Sequence, residues 1–356
     1  MSQTDPLVEG DRLMTICNSC RYCEGFCAVF PAMERRLQFS EADLNYLANL
    51  CHNCSECFYA CQYAPPHEFA VNVPKVLAEI RVKSYEKYSW PVFIRGAWVF
   101  SALAIVFTAL ALVLTPRTSG GDFYAAVPHG VMVGIFGAMG LLVLIAWGIG
   151  LARFWTEDRT GRWLRFSEFS KALKDVLTLA NLSSHGAGCT YPNERHSQAR
   201  RVFHHFAFYG FLLCFASTSV AAAYDNFFGW KAPYAYLSLP VVLGTLGGIG
   251  IIVGPLGLLA LRMRRDGRIV DPAQDGMDLS FIGLLLASGI TGLALLALRG
   301  TAAMSSLLAI HLAVVLALFV TLPFGKFVHG IYRSAALLRN ASEQRDSDQR
   351  KNSREG

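Results

Sequence analysis

Six apolar stretches, at about 93–115, 126–152, 203–224, 237–261, 279–298 and 303–324, constrain this chain more than any other feature. Each is near the ~20 residues that cross a ~30 Å hydrocarbon core as a helix. The fifth is rich in glycine (Gly283, Gly289, Gly292), and only Arg299, Gly300 and a few small residues separate it from the sixth, so these two are expected to form a tight hairpin. Composition agrees: hydrophobic residues make up 53% and charged residues 16% of the 356, against about 25% charged in soluble domains. The polar surface of a soluble enzyme is missing. The net charge of +6 raises the question of nucleic acid, but the basic residues flank apolar segments and form no stripe interleaved with aromatics, so no nucleic-acid partner is expected.

The basic residues orient the bundle instead. Arg153, Arg159, Arg162, Arg165, Lys171, Lys174, Arg195, Arg200 and Arg201 crowd the 153–202 loop, Arg262, Arg264, Arg265 and Arg268 the 262–278 loop, and Lys326, Arg333 and Arg339 the segment after the last span. The alternating loops hold only Arg117, Lys231 and Arg299. The positive-inside rule therefore predicts a multi-pass protein of the cytoplasmic (inner) membrane with both termini in the cytoplasm. The first thirteen residues are polar and net acidic, a poor secretory signal, so the mature chain is expected to start near Met1.

Ahead of the spans, residues 1–90 are polar and hold eight of the ten cysteines. Cys17, Cys20, Cys23 and Cys27 recur 34 residues later as Cys51, Cys54, Cys57 and Cys61, and Pro31 recurs as Pro65. Each half reads C-x2-C-x2-C-x3-C, the run that ligates cubane iron–sulfur clusters in two-cluster ferredoxins. Three closely spaced thiolates wrap one face of a cube, and the fourth must come from elsewhere. Cys17, Cys20, Cys23 and Cys61 are then expected on one 4Fe–4S cluster, and Cys51, Cys54, Cys57 and Cys27 on the other. Zinc is the competing reading, but a third cysteine in each run leaves it a surplus ligand. Ala28 and Gln62 stand where such runs usually place proline, which alters the local turn. His52, inside the second run, is expected to face solvent or to bond near a cluster sulfur.

Between the runs, Ser40 is a candidate N-cap for an amphipathic helix carrying Leu44, Leu47 and Leu50. Val71–Tyr88 reads as a second helix, ending at Trp90, that stands the cysteine domain on the lipid headgroups. In the 153–202 loop, Phe166, Phe169, Leu173, Val176, Leu177 and Ala180 predict an interfacial helix that docks the cysteine domain. His185 and Cys189 follow as weak metal or partner-contact candidates, and Cys214 reads as a packing residue. Residues 331–356 form a charged tail whose last sixteen residues are expected to be disordered.

Polar rings in hydrocarbon are costly and usually have a purpose. His129, His204, His205, His311 and His329 lie in or beside spans. His311 and His329 are five helical turns apart, ~27 Å along one face if the sixth span runs past Pro323. That spacing suits axial ligands of a stacked pair of b-type haems. His204 or His205 matches the depth of His329, and His129 lies nearer that of His311. The alternative is that these rings simply meet headgroups.

The doubled cysteine run, the VPKVLAEIR helix leading into YSWP, and RRVFHHFAFYGFLLCFASTSVA at the third span together resemble the tricarballylate/citrate-utilisation protein B family over nearly the whole chain. The resemblance implies a mainly α protein: a two-cluster ferredoxin-like helical domain followed by a six-helix transmembrane bundle. It further implies a membrane partner that reoxidises an FAD-dependent tricarballylate dehydrogenase on the cytoplasmic face and passes electrons on to quinone. The membrane half is similar to the haem-b gamma subunit of respiratory nitrate reductase, whose second ligand on the earlier helix falls here at Cys214 or Phe215, so an outer haem depends on His129. Independently of family, the chain lacks a nucleotide-binding G-x-G-x-x-G and a flavin site, which leaves substrate oxidation to another polypeptide. Two other readings stand beside this one: a six-span transporter or channel gated by an iron–sulfur sensor, and the same relay serving a cobalamin-pathway flavoprotein.

Overall fold

The computed structural model describes residues 5–93, 96–116, 123–157, 164–182 and 188–355. Arg117, Arg159, Arg162 and His185 lie outside them. The described residues are mainly helical and contain one isolated bridge, between Cys189 and Ser197. The cysteine domain is built from α1 (Pro6–Cys20), α2 (Val29–Glu34), α3 (Glu41–Leu50), the short α4 (Glu56–Tyr59) and α5 (Val73–Tyr88). Its helix starts are legible locally. Asp5 accepts a bond from Leu7 N ahead of α1, Asn72 accepts from Lys75 N ahead of α5, and Ser40 and Asp43 form a capping box ahead of α3. Leu13, Met14, Phe30, Leu44, Leu47, Leu50, Leu77 and Ile80 fill the core between them.

The apolar half follows as α6 (Ala97–Leu114), the short α7 (Phe123–Ala126), α8 (His129–Glu157), α9 (Phe166–Thr178), α10 (Ala199–Phe228), α11 (Leu239–Met263), α12 (Asp275–Leu298) and α13 (Met304–Thr321). Five of these, α8 and α10 to α13, are long and apolar enough to cross a membrane, and α6 is a shorter apolar helix at the first expected span. The closest pair is α10 and α11. A Cβ added at Gly210 would lie 2.7 Å from Ile251 N, and one at Gly250 would lie 2.8 Å from Gly210 Cα. Such contact between backbones is how small residues let helices approach in lipid, where no hydrophobic force presses them together. Cys214 packs here as expected, with its Sγ 2.7 Å from a Cβ built at Gly247.

Four expectations are corrected. The charged tail is not disordered: α14 (Val328–Glu355) carries it as a helix whose first half is buried against α3 and α9. Arg36 Nη2 and Arg339 Nε lie 2.6 and 3.0 Å from Glu343 Oε1, Arg36 Nε lies 2.6 Å from Asp43, and both guanidiniums rest on the Tyr46 ring. The tail is thus held by buried ions, which a composition rule reads as disorder. Second, α5 does not rest on headgroups. Val76, Leu77, Ile80, Arg81, Ser84, Tyr85 and Tyr88 are all buried, so it is the central helix of its domain, and Tyr88 meets the Phe154 ring of α8 edge-on and the tilted Tyr332 ring of α14. Third, α9 forms where expected, with Phe166, Phe169 and Leu173 exposed, but its inner face meets α14, through a Glu168–Arg345 ion pair and Lys171 to Gln344 at 2.6 Å. Fourth, the sixth span does not run on to His329. The chain turns between Thr321 and Val328, around Pro323, which lacks the N–H needed to continue the helical ladder.

Candidate functional site

Both cysteine runs are bent by residues in the left-handed region. Arg21 (φ 56°) ends α1 directly after Cys20, and Asn53 (φ 55°) and Ser55 (φ 71°) sit between the cysteines of the second run. These reversals turn successive thiols toward a common side. Cys17, Cys20, Cys23 and Cys61, with Cys57, line a cavity of about 230 Å³ whose remaining walls include Tyr22, Phe30, Tyr63 and Val71. Cys17 neighbours Cys23, Cys61 and Cys20, and Cys27 neighbours Cys54 and Cys51. Cys23 also faces Cys54, and Cys57 also faces Cys23, so the two groups of thiols adjoin. Burial pushes the Cys17 and Cys23 thiols up to about 12, and those of Cys27 and Cys57 well above their ordinary value. Only a cationic guest would hold these thiols as thiolates in so dry a place. The second run also offers donors for a sulfur-rich guest: Asn53 N–H donates to Cys51 Sγ at 3.4 Å, and Ser55 Oγ is buried without a partner.

Cys189 is fully buried beside this second run, donating to Leu182 O at 3.2 Å and sharing a hydrogen bond with the Cys54 thiol. His52 does not face solvent: it is buried with Nδ1 against Leu50 O at 2.8 Å.

Where the cysteine domain meets the membrane helices, a second cavity of about 200 Å³ is lined by His52, Arg81, Arg200, His204, His329 and Arg333, among others. The rings of His204 and His329 face each other across it, with centroids 6.1 Å apart and planes 30° apart. Two imidazoles on opposite sides of one metal, each nitrogen about 2.0–2.1 Å from it, stand at about this separation. His329 donates from Nδ1 to Lys326 O at 2.6 Å, which leaves Nε2 free of that bond. His204 Nδ1 is buried with no partner. His205, about 100° round the helix, lies instead beside Tyr209, ring centroids 5.8 Å apart.

The outer pair is not assembled. His129 Nε2 is 2.7 Å from Asp225, and His311 Nδ1 is 3.0 Å from Thr291 Oγ1, so each ring is engaged elsewhere. The break at Pro323 removes the shared face that suggested a second haem. Sequence reasoning missed Arg81 and Arg333 as site residues, and read Arg333 only as one of the basic residues that orient the bundle. Their only signal was position, since each falls among the apolar residues of an otherwise buried stripe.

Comparison with known proteins follows these boundaries. The Citrate utilization protein B Fer4-like domain family matches residues 10–87, and the Citrate utilization protein B family matches residues 91–350. Citrate utilization protein B of Escherichia coli is 51% identical over 361 aligned positions, covering 97% of this chain and 95% of that protein. No solved structure matches. With an iron–sulfur-type cysteine domain joined to apolar helices of membrane-spanning length, this chain belongs to the Citrate utilization protein B family.

Proposed function

We propose that this chain is a membrane electron-transfer protein that reoxidises an FAD-dependent dehydrogenase acting on tricarballylate or a related tricarboxylate, and delivers the electrons to membrane quinone. The observation that carries this reading is the shared cavity, where the loop of the second cysteine run and the His204–His329 pair meet. Cys17, Cys20, Cys23 and Cys61 would hold one 4Fe–4S cluster, Cys51, Cys54, Cys57 and Cys27 the other, and His204 and His329 one haem b. These groups, when bound, supply one-electron storage without proton chemistry on the organic substrate. The chain's residues do the rest. Val71, Phe30 and Tyr63 form apolar walls beside the first thiol set, Lys326 O orients the His329 ring, and Asn53 and Ser55 supply donors to sulfur. The dehydrogenase docks on the cytoplasmic face beside the first cavity, and the inner membrane holds both termini on that side. The printed name of the relative, citrate utilization, fits a tricarboxylate as the partner's substrate.

Reduced-minus-oxidised difference spectra of anaerobically purified protein test this. A b-type band on an iron–sulfur background, lost in His329→Ala and kept in His311→Ala, is the expected result. Elemental analysis showing zinc and no iron overturns the proposal.

A further inference from the structure

The two cysteine sets are electrostatically unlike. No charged side chain lines the first cavity. The second run lies under three guanidiniums that come from three different parts of the fold. Arg81 of α5, nearly fully buried, donates from Nε to Ala48 O at 2.7 Å and from Nη2 to Cys51 O at 2.8 Å. Arg333 of α14 donates to the same Cys51 carbonyl at 2.9 Å, and its Nε is buried without a partner. Arg200, at the start of α10, donates to Asn53 O at 2.6 Å and rests on the Tyr191 ring. Among the described residues none of the three pairs with a carboxylate, whereas the neighbouring Arg262, Arg265 and Lys326 are paired with Asp275 and Asp278.

Burying unpaired cations costs several kcal/mol each unless an anion compensates them. The nearest site for that anion is the second thiol set, since two of the arginines meet at the carbonyl of Cys51 itself. We infer that Arg81, Arg200 and Arg333 are potential-setting residues that make the second four-cysteine site easier to reduce than the first. The inference rests on the electron-transfer reading above. An electron added to an iron–sulfur site increases its negative charge, and local charge is one of the factors that set its potential. Beside three cations the added electron lies lower in energy than in the uncharged first cavity. An electron donated by the partner's reduced flavin therefore comes to rest on the side facing His204 and His329, with the first site reoxidised as the second is reduced.

The test is an anaerobic redox titration of the full-length protein followed by electron paramagnetic resonance, comparing wild type with Arg200→Gln, Arg333→Gln and the conservative Arg333→Lys. In each Gln variant one of two midpoint potentials is expected to fall by a tenfold change in the reduced-to-oxidised ratio, about 59 mV for one electron. The other stays in place, and Arg333→Lys recovers most of the loss. Because Arg200 lies on a different helix from Arg333 and is held by Asn53 O and the Tyr191 ring, it reports even if Arg333→Gln fails to fold. Unchanged potentials, or equal shifts of both, overturn the inference. Wild-type protein with no iron–sulfur signal would instead refute the underlying function.

Discussion

In the cysteine domain buried polar side chains tie one helix to the next: Arg81 reaches two carbonyls, Asn49 bonds Ser84 at 2.8 Å, and Glu343 collects Arg36 and Arg339. In the membrane half the tightest helix pair, α10 with α11, meets at Gly210, Gly250 and Gly254 with backbone against backbone. The difference follows from the solvent each region displaces. Water lets a small domain use ions and caps, because the unfolded chain could also hydrate them, and partner groups then fix one arrangement. Lipid offers no hydrophobic gain for pressing helices together, so close contact of small residues has to provide the adhesion. The two regions join where both rules fail at once, in a cavity holding unpaired cations and a pair of facing imidazoles. That is where a polar, charge-carrying guest belongs.

The largest effect should come from the cysteine side. Cys27→Ser is expected to remove about four of about eight irons, because Cys27 completes the set formed by Cys51, Cys54 and Cys57. Iron analysis with Mössbauer spectroscopy checks this, and loss confined to the set of Cys17, Cys20 and Cys23 would break the crossed assignment. Next, Glu343→Ala leaves Arg36 and Arg339 to share Asp43 and should destabilise the docking of α14 by about 3 kcal/mol. Protease nicking within α14 at denaturant concentrations that leave wild type intact would report it. An unaltered α14 would mean the ions contribute nothing net. Gly210→Leu tests the other rule: a side chain forced against Ile251 and Gly250 should cost about 1–3 kcal/mol or more, read as a lower thermal midpoint in detergent while iron content is kept. Equal iron loss would show that the two regions do not fold on separate principles. The smallest effect is expected from Cys189→Ser, which should leave iron content unchanged, since both four-thiol sets are complete without it. Loss of iron there would make Cys189 a ligand.

Much of this was legible in sequence where the constraint is local. The Fer4-like cysteine runs stand out by spacing along a few residues, and the helices of membrane-spanning length by runs of apolar side chains. His204 and His329 stood out because a buried ring in an apolar context is conspicuous. Legibility ended where partners are distant. Glu343 lies more than three hundred positions from Arg36, so the tail read as solvated charge. Arg81 looked like one basic residue among Lys75, Lys83 and Lys87, although only its side chain turns inward. His311 and His329 were joined by a helical register that Pro323 interrupts, so arithmetic along an assumed helix placed on one face two rings that the fold does not align.

The measurement that tests the central claim most directly is reoxidation. Full-length protein in anaerobic proteoliposomes is reduced with dithionite, freed of excess reductant, and mixed with a short-chain quinone while iron–sulfur and haem signals are followed. The account predicts rapid loss of the reduced signals with matching quinol formation, slowed at least about tenfold in His329→Ala. Reduced signals that persist in the presence of quinone, or that decay equally fast without His329, would contradict it.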